Sequence, residues 1–122
     1  ADVIPTSVAR YWDLMALSDH QPAKVIGANG KLRDRPGFDV EFLSRNSIPD
    51  TPYTLSKHEV LMPMRGHWRL TWSGGTTTLN PGDTAAIPPG LEHSLAPSMT
   101  GEASLYRVVA TDDPAGLTGR LL

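Results

Sequence analysis

Residues 81–97 read PGDTAAIPPGLEHSLAP, and their order writes a turn, a short strand, a second turn and a second strand. Gly82-Asp83 after Pro81 suits a tight turn, because Gly accepts positive φ and the Asp carboxylate can accept from nearby backbone N–H groups. Thr84 to Ile87 has the length and composition of a short buried strand. Pro88-Pro89-Gly90 then sets a type II turn, in which Pro89 presets φ at the first central place and Gly90 supplies positive φ at the second. His93 opens the next apolar segment, so one imidazole is held at the mouth of a turn between two strands.

The rest of the chain has the same grammar. Its 122 residues, 39% of them hydrophobic, make one domain, residues 1–122, with a single core. Eleven Gly and eleven Pro are spread through the chain, which suits many short strands joined by tight turns. No apolar run approaches the roughly 20 residues of a membrane span, and no basic and apolar leader stands at the N-terminus, so no membrane partner is expected. The absence of Cys removes both a disulfide framework and a thiolate site, and the expected location is the cytoplasm. With a net charge of −2 and scattered Lys and Arg, the chain lacks the basic stripe that a nucleic acid requires. A small molecule or another protein is the expected partner.

Val8, Tyr11, Trp12 and Met15 stand at helical spacing, predicting a short helix over Val8 to Leu17 with Thr6 or Ser7 as its cap. Such an aromatic stripe more often packs against a barrel than forms a lid. Ala23 to Ala28 reads as a strand ending in the turn dipeptide Asn29-Gly30, and Lys31 to Gly37 as a charged loop or edge. Phe38, Val40 and Phe42 alternate with Asp39 and Glu41, which places the two acids together on the opposite, wet face of a strand. Paired carboxylates there are ordinary solvated residues far more often than catalysts. Ser44 to Lys57, with Pro49, Asp50 and Pro52, reads as extended loop.

His58 to Met64 and Trp68 to Trp72 form a hairpin turning at Arg65-Gly66. Trp68, Leu70 and Trp72 share one face, where Trp fills the interior or walls a pocket, while His67, Arg69 and Thr71 share the other. His58 and Glu59 are adjacent, so a regular strand sends them to opposite faces, and only a bulge would bring both into one site. Ser73-Gly74-Gly75 is a hairpin turn leading into the strand Thr76 to Leu79, and Ala103 to Ala110 is the last strong strand. Arg107 within it either points inward, where its planar fork would hold a ligand carboxylate or phosphate, or lies on the outer sheet, the commoner place. The tail from Thr111, with Asp112-Asp113-Pro114, is expected to run over the surface.

About eight short strands at regular spacing predict an all-β antiparallel barrel or jelly roll. The spacing Gly82, five residues, Pro88, one residue, Gly90, two residues, His93 resembles the second motif of the cupin superfamily, with Pro97 standing where that family often has Asn. Glu59, six residues, Gly66 is similar to the second half of the family's first motif. The resemblance runs over Val40 to Val109, about half the chain, and implies a double-stranded β-helix, beside which stands the short N-terminal helix read from the helical spacing. It also implies that His93 and Glu59 are metal ligands with side chains directed inside. The His-x-His pair that completes the family's motif would fall at Tyr53 and Leu55, or at Pro52 and Thr54, and none of these is His.

Two functions follow. In the first, His93 and Glu59 hold a divalent Fe, Mn, Ni or Zn, with His58, Tyr53 or a group from elsewhere as third ligand, and the chain is a metal-dependent enzyme acting on a small organic acid or sugar-like metabolite. In the second, the chain is a metal-free small-molecule-binding barrel whose pocket is lined by Tyr53, Trp68, Trp72 and Tyr106. His93 and Glu59 are then hydrogen-bond partners or a proton-transfer pair. The missing His pair favours the second. An aromatic N-terminal segment beside open sheet edges also predicts a homodimer.

Overall fold

The computed structural model describes residues 8–27, 30 and 37–110. Helix α1 covers Tyr11–Leu17. Among the described residues it is followed by eight strands: β1 (Ala23–Ile26), β2 (Phe38–Ser44), β3 (Glu59–Arg65), β4 (Trp68–Trp72), β5 (Gly75–Leu79), β6 (Ala85–Ile87), β7 (His93–Pro97) and β8 (Ser104–Ala110). One sheet has the order β1-β2-β8-β3-β6 and the other β5-β4-β7. The pairings in both are antiparallel. This is the all-β, two-sheet barrel with a short helix that the strand and turn pattern predicts. Thr6, Ser7, the Asn29 turn residue, the 31–36 segment and the tail from Thr111 lie outside the described residues.

The turns at Gly66, Pro81 and Gly90 are where the sequence places them. Gly90 has φ +83°, and the Leu91 N–H reaches back to the Pro88 carbonyl at 3.4 Å, closing the turn before His93. At the Pro81 turn, the Asn80 N–H donates to Asp83 Oδ2 at 2.8 Å and the Asp83 N–H to the Asn80 carbonyl at 2.9 Å. Within β3, Pro63 offers no N–H to the ladder, and the pairing with β8 shifts register between Pro63 and Arg65.

Two apolar layers hold the molecule together. Leu43, Leu61, Trp68, Leu70, Leu79, Ile87, Leu95, Ala103 and Leu105 fill the space between the sheets. Leu14, Ala23, Val25 and Phe42 form the second layer, between α1 and the outer face of the larger sheet, with Tyr11, Met15 and Tyr106 packed against it. The helix begins later than expected, with Arg10 as an N-cap that makes no side-chain bond. Its other end is tied down by buried hydroxyls: Ser44 Oγ and Ser47 Oγ donate to the Ser18 carbonyl at 2.9 and 2.7 Å. Those bonds satisfy a carbonyl that the helix leaves open at its C-terminus.

The second layer corrects the reading of β2. Phe42 and Val40 mark the face under the helix, whereas Glu41 faces the barrel interior directly opposite Arg107 of β8. The alternation is real, but both faces of this sheet are covered, so the apolar residues identify the helix side and not the barrel side.

Candidate functional site

Glu59 opens β3 in the larger sheet and His93 opens β7 in the smaller one, and their side chains meet between the sheets. Glu59 is 1% and His93 2% exposed. The His93 Nε2 to Glu59 Oε1 distance is 2.6 Å, and Nδ1 lies 2.8 Å from the Leu91 carbonyl. A carbonyl only accepts, so Nδ1 carries a hydrogen and donates it. The short Nε2 to Oε1 contact then holds one proton, either as imidazolium with carboxylate or as imidazole with carboxylic acid.

Tyr53 completes this arrangement, from a segment without regular structure. Its N–H donates to the His93 carbonyl at 2.8 Å and the His93 N–H donates to the Tyr53 carbonyl at 3.0 Å, an isolated bridge that stitches the long loop onto β7. The Gly90 N–H donates to the Leu55 carbonyl at 2.8 Å and holds the loop at a second point. The phenol ring thereby lies 4.3 Å from the imidazole centroid, and its O–H donates to Glu59 Oε2 at 2.7 Å. Burial, reinforced by the neighbouring Glu59 charge, pushes the Tyr53 phenol well above its ordinary range and keeps it a donor.

Arg107 points inward, the less common of its two expected placements. Its Nε and Nη2 donate to Glu41 Oε1 at 3.0 and 2.7 Å, and Nη1 stands 3.9 Å from Glu59 Oε2. Glu41, set aside by the sequence reading as a wet-face acid, is therefore the guanidinium's main partner. Cross-strand register alone brings them together, Glu41 against Arg107 in neighbouring antiparallel strands. Opposite charges at facing positions were the available signal. Glu41, Arg107 and the one-proton Glu59–His93 pair sum to zero charge, which lets them share a largely buried space.

The remaining expected site residues separate. Trp72 stands beside His93 in the β4–β7 register and lines a cavity of about 110 Å³ with Leu70, Ala86, Ile87, Leu91 and His93. A second cavity of about 220 Å³ shares Trp72, Leu91 and His93 and adds Pro52, Thr71, Ser73, Glu92 and Ser94. Trp68 is fully buried in the core, its Nε1–H donating to the Ser104 carbonyl at 3.2 Å, so it supports the interior and lines neither cavity. Tyr106 is on the other face of β8, edge-on to Phe42 at 5.3 Å beneath α1, because it has the opposite parity to Arg107. His58 is exposed and precedes β3 without a bulge at Glu59, and its backbone carbonyl accepts from the Ala110 N–H at 3.1 Å. It does not join Glu59 and His93.

The donor set does not fit a metal centre as arranged. Ligands at 2.0–2.2 Å from one ion stand roughly 3 Å or more apart, so a 2.6 Å nitrogen–oxygen contact is a hydrogen bond between the two groups. Both imidazole nitrogens are already engaged. Among the described residues no group of three or more His, Cys, Asp or Glu could hold a metal ion.

No family model matches the sequence. No curated protein matches it either. Solved structures do. Protein NMB1881 from Neisseria meningitidis superposes with TM-score 0.66 at 18% identity, over 87% of this chain and all of the other. A cupin-2 domain containing protein from Shewanella frigidimarina gives 0.63 at 15% identity, over 85% and 95% of the two chains. The DMSP lyase DddQ from Ruegeria pomeroyi gives 0.62 at 17% identity, over 84% of this chain and 51% of its own. With the two-sheet strand order and the buried Glu59 and His93, these likenesses establish that the chain has the cupin fold.

Proposed function

We propose that this chain is a small-molecule-binding cupin barrel that works without a metal, receiving its ligand in the cleft walled by Trp72, Leu91 and His93. The observation that carries the reading is the internal use of His93. One nitrogen is committed to the Leu91 carbonyl and the other to Glu59, while the ring still borders both cavities. An imidazole in that state is a rigid wall that holds a shared proton, and it has no lone pair to offer a cation. Tyr53 and the Glu41–Arg107 pair lock the wall from behind. The cleft is then preformed, which limits the ordering cost of binding.

The fold also carries enzymes, as the DMSP lyase shows for itself, and fold alone does not assign a reaction. The test is metal analysis of protein purified without chelator or affinity-tag nickel, together with a thermal-shift screen of small organic molecules. The reading expects a melting temperature indifferent to EDTA and ligand-dependent shifts that Trp72→Ala removes. Stoichiometric Fe, Mn, Ni or Zn that disappears in His93→Ala would overturn it and make a metal-dependent enzyme the leading reading.

A further inference from the structure

Resting on that reading of the cleft, we infer that its ligand is a small organic cation: a short aliphatic body in the inner cavity, carrying an ammonium-type head in the outer one. The inner cavity is lined by Leu70, Trp72, Ala86, Ile87, Leu91 and His93. Five of these are apolar, and both His93 nitrogens are engaged elsewhere. A polar group seated there would be desolvated without a partner, so the inner end of the ligand is hydrocarbon. Its volume of about 110 Å³ compares with the roughly 150 Å³ cavity that accepts benzene, which corresponds to about four or five carbon atoms.

The outer cavity has a different character. Glu92 is the acidic residue of its lining, which also includes the hydroxyl residues Thr71, Ser73 and Ser94, and the charge state of His93 is balanced by Glu59. Among the described residues neither cavity is lined by Lys or Arg. Arg107, the residue that would naturally receive a carboxylate, spends its fork on Glu41 inside the barrel and borders neither cavity. An anionic head would thus meet Glu92 with no compensating charge. A cationic head meets Glu92 and the indole of Trp72, which borders both cavities and attracts cations through its ring quadrupole. Trp72, Leu91 and His93 belong to both linings, so body and head can belong to one molecule.

The experiment compares n-butylammonium, 1-butanol and butanoate, three ligands with one tail and different heads, by calorimetry and by the shift of the Trp72 indole N–H signal. The expected order is ammonium over alcohol over carboxylate, with ammonium about tenfold tighter than alcohol at low salt. Added salt should narrow that margin, since Glu92 is exposed. Glu92→Gln, a surface change that leaves the fold intact, should remove most of the ammonium preference and bring butanoate level with butanol. Equal binding of the ammonium and the alcohol, tighter binding of butanoate, or an ammonium affinity untouched by Glu92→Gln overturns the inference and leaves the cleft as a binding site of other specificity. Silence from all three also overturns it, and if the wider screen is silent as well, the binding reading falls with it.

Discussion

Replacing Glu59 in two ways separates a hydrogen-bond hub from a metal ligand. Glu59→Leu keeps approximate volume but removes the acceptor of the Tyr53 O–H at 2.7 Å and the partner of His93 Nε2 at 2.6 Å. Each buried group left without a partner costs about 1–3 kcal/mol, so the variant should lose about 2–6 kcal/mol. Relief from the buried carboxylate's own desolvation pulls toward the lower end. Glu59→Gln behaves differently. Its amide oxygen can still accept from Tyr53, and its NH₂ can donate to a neutral His93 whose Nδ1–H remains on the Leu91 carbonyl. Every bond survives and only the shared proton is lost, so the cost should stay below about 1 kcal/mol. Urea unfolding at constant m measures both losses. Nitrogen-15 spectra of His93 should show an unprotonated Nε2 in Glu59→Gln. A Leu variant as stable as the parent, or less damaged than the Gln variant, would refute the hub. Equal losses in both, reproduced in the parent by chelator, would point to a metal instead.

Four further outcomes are expected. Arg107→Met should cost about 2–4 kcal/mol by leaving Glu41 without its main partner in a mostly covered site, and Arg107→Met with Glu41→Leu should recover part of it, a double-mutant cycle read by urea unfolding. Alkali should destabilise the protein through Tyr53. Its folded phenol titrates above the ordinary 10.0, so its contribution is complete below that value and is lost as pH rises above it toward the higher folded value; Tyr53→Phe should flatten this limb of a stability–pH profile. Gly66→Ala should cost about 1–3 kcal/mol, since φ is +70° and the added Cβ would come 2.5 Å from the Glu102 carbonyl oxygen, and its melting temperature reports the loss. Light scattering should find a dimer at tens of micromolar, with Trp12→Glu, at a position 61% exposed on α1, shifting it toward monomer.

Local chemistry made the turns and the inner face of β4 legible. Gly and Pro offsets locate the reversals at Gly66 and Gly90, and period two sends Trp68, Leu70 and Trp72 to one side. The motif spacing around Glu59 and His93 likewise marked the two residues that meet in the core. Tyr53 was harder to place, because its position depends on backbone bonds to His93 forty residues away along the chain and not on any periodicity of its own segment.

The sequence by itself determined the number and parity of the strands, since φ preferences and alternation act between neighbours in the chain. Only the tertiary structure decided which face of β2 and β8 is the barrel interior. Both faces are covered, one by α1 and one by the opposite sheet, so parity divides the residues into two sets without naming either as inside. That assignment took Tyr106 to the helix side, turned Glu41 and Arg107 inward against each other, and left His93 with both nitrogens spent. These contacts join positions far apart along the chain: Glu41 meets Arg107 only when β2 pairs with β8, and His93 meets Glu59 only once the two sheets have closed on each other.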